Sequence, residues 1–234
     1  MKLSWLTWCE VEKMDKRGKV VVLPLGSLEQ HGKHLPLGVD SFIVDALAES
    51  LEQKMPDNVV LLPTVWLGHS PHHMRYPGTV SIHHQTYADI LEQIVSSLIP
   101  AGFSKFVLLN GHGGNGLPVQ IALQELKNRY KNNRGRQDLF VCAFSYWTIS
   151  SEDFERIRES DIGGMGHACE METSVMLYLH SDLVKNELLE KDGVQPALDG
   201  IKLDMLRGSP IHIVYDFHEI SRTGTFGDAS LADR

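Results

Sequence analysis

A short stretch near the start of the sequence combines the side chains that bind divalent metal ions. Residues 26–40 read GSLEQHGKHLPLGVD and contain Glu29, His31, His34 and Asp40. Carboxylates and imidazoles are the usual ligands of Zn²⁺, Mn²⁺ and Fe²⁺. Such residues also occur in ordinary polar loops, and twelve histidines in 234 residues make some clustering by chance expected. A metal site is therefore the first hypothesis, and it needs partners from elsewhere in the chain.

Two later segments offer such partners. The sequence NGHGGN contains His112 and follows an apolar run, and its glycines allow the backbone to approach a ligand closely. The same turn is alternatively a cradle for an anion without any metal. The sequence GHACEMETS contains His167, Glu170 and Glu172 near a predicted helix start. Because a helix dipole also stabilises acidic side chains there, a structural role for one of the two glutamates stays open.

The elements that must position these residues alternate between strands and helices. Val20–Leu25 is an uninterrupted, β-branched apolar run, which is typical of a parallel strand covered on both faces. We predict further strands at Val59–Val65, Phe106–Leu109, Leu139–Phe144 and Ile211–Tyr215. We predict helices at Leu3–Lys13, Ser41–Lys54 with Ser41 as its N-cap, Tyr87–Pro100, Leu117–Tyr130, Ser150–Ser160 and Glu170–Leu179. This alternation predicts a single α/β domain over residues 1–234, with three α/β/α layers and a mainly parallel sheet.

Loops that follow parallel strands gather along one edge of a sheet, where such folds bind ligands. Three loops occupy these positions: Gly26–Asp40, Trp66–Thr79 and Asn110–Asn115. The second is long and rich in Gly, Pro and His, and loops of that length are uncommon unless they have a function. We therefore expect the site at this edge.

The composition argues against several classes of partner. A formal net charge of −8 disfavours a nucleic-acid-binding surface, and the basic stretch at 127–136 is interpreted as a solvated helix end. The three cysteines are widely spaced, which is typical of a reducing compartment. No segment has the apolar length of a signal peptide or membrane helix. We expect a cytoplasmic protein without nucleic-acid or membrane partners.

Taken together, four segments carry a family resemblance. In this order, GSLEQHGKHLPLGVD, SPHHMRYPGT, NGHGGN and GHACEMETS resemble the creatininase (creatinine amidohydrolase) family of metal-dependent amidohydrolases. The resemblance implies hydrolysis of a cyclic amide, a formamide or another non-standard C–N bond in a small molecule. It also implies two divalent ions per chain (Zn, Mn or Fe) and a homo-oligomer, a hexamer in family members. The final residues, GTFGDASLADR, resemble a segment that leads into a last helix, so we expect that helix to be missing or shortened.

The resemblance also implies ligand roles. Asp40 would bridge the two ions, with Glu29 and His112 completing the protein ligands of one ion. His31 and Glu170 would complete those of the other. Three carboxylates against two divalent ions leave one positive charge, which a bound hydroxide would cancel. Such an ion pair lowers the pKa of bound water and polarises a carbonyl, so the predicted reaction is attack of water on an amide carbon.

The leaving nitrogen needs a proton in this reaction. His167 matches the family histidine that carries it, and an imidazole is suited to this role near neutral pH. The alternative for His167 is a residue that hydrogen-bonds to the ligands without reacting. His34 and Glu172 are predicted to surround the ligands, and Glu172 is grouped with His167 as a candidate catalytic residue.

Substrate identity is less constrained by the sequence. The candidate substrate-binding residues are Ser70, His73, Tyr76 and Trp147. Gly114 stands where creatininase proper has a glutamate ligand, and Gly163 where it has one of two tryptophans that enclose creatinine. These departures favour the broader family, which includes formamide hydrolases of pyrimidine-ribotide intermediates and a peptidase of peptide-cofactor maturation. A formamide on a nucleotide-like substrate, with Arg75 as the phosphate contact, stays an alternative, as does a non-catalytic metal-binding protein.

Overall fold

The computed structural model describes residues 1–131, 139–198, 201–208 and 211–233. Part of the basic stretch, residues 132–136, therefore lies outside the described residues. The chain divides into two compact units. Unit 1 consists of Met1–Ser27, Asp40–His69 and Ile82–Ser145, and unit 2 of Leu28–Val39, Ser70–Ser81 and Tyr146–Arg234. Both units are discontinuous in sequence, and the assignment of a single domain stays a prediction.

Unit 1 contains a four-stranded parallel sheet. Its strands are β1 (Val20–Leu25), β2 (Val59–Leu61), β3 (Lys105–Asn110) and β4 (Phe140–Ser145), in the order β2-β1-β3-β4. The central strand β1 pairs on both sides, with Val21 aligned to Val60 and to Phe106. Because both of its faces are covered, β1 is apolar along its whole length. The predicted parallel sheet is confirmed.

The α-helices described in unit 1 are α1 (Trp8–Lys13), α2 (Val39–Lys54), α3 (His84–Leu98) and α4 (Gly116–Tyr130). From α3, Tyr87, Leu91 and Val95 enter the core at intervals of four residues, which places them on one helical face. Ala122 and Leu126 of α4 do the same. Full burial of each large apolar side chain contributes about 1.5–3 kcal/mol, so these two faces hold the helices in the core.

Unit 2 is built from shorter elements. Its helices are α5 (Tyr146–Ile149), α6 (Ser151–Ile157), α7 (Glu170–His180) and α8 (Phe217–Ile220). Its strands β5 (Met165–His167), β6 (Lys191–Asp192) and β7 (Phe226–Asp228) form an antiparallel sheet in the order β5-β7-β6. Strands of two or three residues carry no readable alternation, so the sequence did not reveal this sheet. Within the described parts of the chain, no helix has both the length and the apolar character of a membrane span.

The predictions of an N-cap at Ser41 and of a strand at Ile211–Tyr215 are wrong. Helix α2 begins at Val39, so Ser41 lies in its first turn and is not the N-cap; its hydroxyl instead donates to the carbonyl of Ser27 (2.9 Å). Residues 211–215 are described and form no strand. Val214 is fully exposed there, and strand propensity without a pairing neighbour does not make a strand.

Candidate metal centre

The loop at 28–39 carries the buried donor side chains of Glu29, His31 and His34. The loop is closed by the backbone N–H of Glu29, which donates to the carbonyl of Leu37 (3.0 Å). His31 Nδ1 lies 3.1 Å from the carbonyl oxygen of Glu29, which can only accept, so Nδ1 carries the proton. The other ring nitrogen, Nε2, lies 3.9 Å from Oε1 of Glu172. His31 therefore turns its second ring nitrogen toward a carboxylate.

Glu29 lies at the centre of a buried cluster in unit 2. Its Oε1 is 3.3 Å from His73 Nε2 and 3.8 Å from His167 Nδ1. Glu29, His31 and His167 are all buried, and one ligand atom from each lies within 4.8 Å of the others. One carboxylate and two imidazoles form a donor set that suits Zn²⁺ or Mn²⁺. The structure thus brings together three residues that the sequence had singled out.

The two glutamates of α7 have different surroundings. Both oxygens of Glu170 accept backbone N–H groups, from Glu159 (2.7 Å) and Ser160 (2.9 Å). Glu172 accepts the backbone N–H of Ala168 at Oε2 (2.6 Å), and its Oε1 faces His31. The glutamate beside His31 is therefore Glu172, whereas Glu170 fastens the backbone that precedes β5.

Unit 1 holds a second buried pair. His112 Nε2 lies 3.2 Å from the carbonyl oxygen of His69 and so donates to it. Its Nδ1 lies 3.3 Å from Oδ2 of Asp40, and both side chains are buried. This is the same arrangement as that of His31, with one ring nitrogen fixed to a backbone carbonyl and the other turned to a carboxylate.

The asparagines of NGHGGN hold His112 in place. Asn110 Nδ2 donates to the carbonyl of His112 (2.7 Å), so the residue preceding the turn fixes its backbone. Asn115 Nδ2 donates to the carbonyl of Gly26 (3.0 Å), while its Oδ1 accepts the backbone N–H of His69 (3.1 Å). Through these hydrogen bonds the motif holds the imidazole of His112 in position.

The donor chemistry fits a divalent cation. In His31 and in His112, the ring nitrogen that does not donate to a backbone carbonyl faces a carboxylate oxygen. Two acceptors facing each other in a buried setting repel unless they share a cation, either a proton on the ring or a metal ion. Backbone carbonyls that fix the second nitrogen of an imidazole are the usual support of metal-binding histidines.

His34 differs from the other histidines of its loop. Its Nε2 lies 2.9 Å from the hydroxyl of Thr173, and the ring is buried. Burial, and secondarily the proximity of His31, lowers the pKa of His34 to about 4, although Glu190 opposes this shift. His34 is therefore neutral at physiological pH, and its contact with Thr173 ties the loop to α7.

The residues predicted to bind substrate are spread over unit 2. Ser70 is buried, and His73 lies in the Glu29 cluster. The hydroxyl of Tyr76 donates to the carbonyl of Ser221 (3.2 Å), and burial raises the pKa of this phenol. Trp147 is buried in α5, and Arg75 is exposed. Their substrate roles stay predictions.

Two residues that sequence reasoning missed contact the cluster. Phe217 stacks on His73 with ring centroids 4.1 Å apart and meets His167 edge-on at 4.7 Å. Gln30 lies within hydrogen-bonding distance of both imidazoles. The only sequence signal for Gln30 was its position between two candidate ligands, and Phe217 had none because it follows the misassigned segment at 211–215.

Asp192 fastens the loop at 221–225, whose Gly224 carbonyl contacts Gln30. Its carboxylate accepts hydrogen bonds from Gly193 N (2.8 Å), Ser221 Oγ (3.0 Å), and Arg222 N, Thr223 N and Thr223 Oγ1 (each 2.9 Å). Burial opposes ionisation, yet these bonds, that of Gly193 foremost, hold the pKa of Asp192 at about 2. The carboxylate is thus charged whenever the protein is folded near neutral pH.

We expect Asp192→Asn to lower the free energy of unfolding by roughly 1–2 kcal/mol at pH 7, since one charged acceptor with several donors is lost. A folded-state pKa below the unfolded value gives stability that is present above about pH 4 and is lost as the pH falls toward 2. The difference in the free energy of unfolding between wild type and Asp192→Asn, measured by urea unfolding, should therefore become smaller from pH 7 to pH 3. A gap that stays constant over this range would contradict the role of the ionised carboxylate.

Buried carboxylate and imidazole donors beside a parallel α/β sheet are typical of metal-dependent hydrolases. The family model described as creatininase, creatinine amidohydrolase, matches residues 4–234. The chain therefore belongs to the creatininase family, and it is a hydrolase.

Relatives and solved structures agree with this placement. Creatinine amidohydrolase of Pseudomonas putida is 31% identical over 193 residues, which cover 76% of this chain and 72% of that protein. A 3-dehydro-scyllo-inosose hydrolase of Thermotoga maritima is 34% identical over 188 residues, covering 78% of this chain but 57% of that protein. Two solved creatininases, a mutant of Zn-Zn type and a Mn form, each have a TM-score of 0.82 and 26% identity. Each match covers 100% of this chain, and it covers 89% of the Zn-Zn structure and 90% of the Mn structure. The three-layer α/β/α fold is therefore confirmed.

Proposed function

We propose that this protein is an amidohydrolase that uses two divalent metal ions to hydrolyse a non-standard C–N bond. The observation that carries the proposal is the repeated arrangement of His31 and His112. Each ring donates one N–H to a backbone carbonyl and turns its other nitrogen to a buried carboxylate. A divalent ion relieves that juxtaposition of acceptors, and relatives with Zn-Zn and Mn forms favour such ions.

The ligand assignment follows the family pattern with one change. Asp40 would contribute to both ligand sets, and Glu29 and His112 would complete one of them. His31 would complete the other set together with Glu172, which replaces Glu170 because both Glu170 oxygens are engaged by backbone N–H groups. With Glu172 assigned in place of Glu170, the two divalent ions would still have three carboxylate ligands.

When bound, the ions would lower the pKa of water toward neutrality and polarise the substrate carbonyl. The protein side chains handle the proton. His167 Nε2 is fixed by the carbonyl of Gln30 (2.7 Å), so its Nδ1 is the atom that takes up a proton and delivers it to the leaving nitrogen. The apolar ring of Phe217 packs against His167 and limits the access of water to it.

The substrate class is proposed to be a small cyclic amide or a formamide. The Pseudomonas putida relative is named for creatinine, but Gly114 and Gly163 depart from the creatinine-specific pattern. The test is a comparison of Zn²⁺- or Mn²⁺-loaded and chelator-treated protein on creatinine, formamides, lactams and short peptides. We expect hydrolysis of a lactam or formamide only by the loaded protein. Equal activity after chelation, or no turnover of any of these compounds, would overturn the proposal.

His167→Ala separates proton transfer from metal binding. We expect the variant to retain its metal content and to lose about 10²–10⁴-fold in kcat, the usual contribution of general acid–base catalysis. His218→Ala, which removes an exposed histidine of α8 in the same unit, should change neither quantity. Full kcat would exclude the proton-transfer role, and loss of metal would make His167 a ligand instead.

A further inference from the structure

The side chain of Gln30 is fixed by two backbone groups of opposite character. Its Oε1 accepts the N–H of Gly32 (2.9 Å), and its Nε2 donates to the carbonyl of Gly224 (3.1 Å). An amide turned by 180° would place oxygen against the Gly224 carbonyl and nitrogen against the Gly32 N–H. These two contacts therefore determine which end of the amide is oxygen and which is nitrogen.

The remaining N–H of the Gln30 amide has two imidazole nitrogens within reach. His73 Nδ1 lies 2.8 Å from Nε2 of Gln30, and His167 Nε2 lies 3.1 Å from it. His167 Nε2 is also 2.7 Å from the backbone carbonyl of Gln30, which can only accept. That nitrogen must therefore carry a proton and cannot accept another. The amide hydrogen goes to His73.

Both rings are therefore in the Nε2–H tautomer, but they turn different nitrogens toward Glu29. His73 accepts at Nδ1, so its proton is on Nε2, the atom 3.3 Å from Oε1 of Glu29. His167 donates from Nε2, so its unprotonated atom is Nδ1, which lies 3.8 Å from the same oxygen. One imidazole is a donor to Glu29 and the other is an acceptor beside it.

We propose that Gln30 is a positioning residue that sets the tautomers of His73 and His167, with its side-chain amide acting on the first ring and its backbone carbonyl on the second. His73 is thereby kept as a hydrogen-bond donor to Glu29, and His167 keeps an acceptor nitrogen on the side of that carboxylate. The consequence for catalysis rests on the proposed function, because it is there that His167 exchanges a proton.

The conformation of Gly224 and its lack of a side chain allow its carbonyl to accept the hydrogen bond from Gln30 Nε2. Its φ is +89°, a left-handed conformation that favours glycine, and a Cβ at this position would overlap Oε1 of Gln30. The loop that carries Gly224 is fastened by Asp192 through Thr223 and Ser221. The Gln30 amide is thus positioned in part by the loop at 221–225, which Asp192 holds in place by hydrogen bonds.

The test is long-range ¹H–¹⁵N NMR of the full chain labelled with ¹⁵N-histidine, without added metal, at pH 8. Ring signals are assigned with His73→Gln and His167→Gln. In the wild type we expect the Nε2–H form for both rings. In Gln30→Met, His73 should move toward a mixture of tautomers, and in Gln30→Glu it should be protonated at Nδ1 because a carboxylate can only accept. The control is Gln195→Met, since Gln195 also bridges backbone groups (Gly163 O and Leu203 O, each 3.0 Å) but contacts no histidine among the described residues.

The outcomes separate this inference from the proposed function. A wild-type His73 that carries its proton on Nδ1 or on both nitrogens would overturn it. So would a His73 signal unchanged in both Gln30 variants, or altered equally in Gln195→Met. Because the spectra need neither metal nor turnover, the expected tautomers in a protein that binds no metal would uphold the inference while the metal proposal fails.

Discussion

Replacing Glu172 with glutamine is expected to remove one of the two proposed metal ions and nearly all hydrolytic activity. Glu172 Oε1 faces Nε2 of His31, and an amide does not supply the negative charge with which a carboxylate binds a divalent ion. Losing an ion forfeits several kcal/mol of transition-state stabilisation, which corresponds to a fall of roughly 10³-fold in kcat. Metal content by elemental analysis and kcat on the best substrate of the screen give the two readouts.

The matched control is the same substitution at Glu170, two residues earlier on α7. Its carboxylate accepts two backbone N–H groups, and a glutamine can accept only one of them with its single carbonyl oxygen. We expect Glu170→Gln to lower the free energy of unfolding by about 1–3 kcal/mol while metal content stays at the wild-type level. Loss of metal in Glu170→Gln with retention in Glu172→Gln would reverse the ligand assignment.

Replacing Asp40 with asparagine is expected to have the larger effect on metal binding, because Asp40 is proposed to be shared by both ions. Its Oδ2 lies 3.3 Å from His112 Nδ1, and both side chains are buried. Because solvent does not reach this position, water does not compensate for the loss of the carboxylate charge. We expect binding of both ions to be lost together and turnover to fall by at least the roughly 10³-fold expected for one ion. Titration with Zn²⁺ against a chelator of known affinity measures the change.

Asp45→Asn is the control for this variant. Asp45 is on the same helix α2, is exposed, and accepts a hydrogen bond from the hydroxyl of Thr64 (2.5 Å). It should retain the wild-type Zn²⁺ affinity. If Asp40→Asn binds one ion as tightly as the wild type binds its first, Asp40 is not shared.

The parts of the fold that the sequence predicted well are those with long periodic patterns. Val20–Leu25 was predicted with the bounds that the structure gives, because a buried parallel strand is apolar at every position. Helix α4 began within one residue of its prediction, since its core face recurs over four turns. The antiparallel sheet of unit 2 was missed because β6 has only two residues.

In the candidate site, residue types were predictable but atomic partners were not. The sequence presented Glu170 and Glu172 two positions apart on a helix start, and nothing in their types distinguishes them. The distinction comes from which backbone N–H groups each carboxylate meets. Glu159 and Ser160 fall inside the predicted helix Ser150–Ser160, but α6 ends at Ile157, so the periodic pattern did not reveal that their N–H groups reach Glu170. Gln30 was overlooked for a similar reason, because an uncharged amide gains its role only from the imidazoles around it.

The measurement that tests the metal centre most directly is the number of divalent ions bound per chain. Protein reconstituted with Zn²⁺ or Mn²⁺ and freed of excess metal by gel filtration is analysed by elemental analysis against a quantified protein concentration. Two Zn²⁺ or Mn²⁺ ions per chain, falling to none in Asp40→Asn, are the predicted result. Less than one tightly bound ion per chain after reconstitution would contradict the dinuclear centre and, with it, the proposed hydrolytic mechanism.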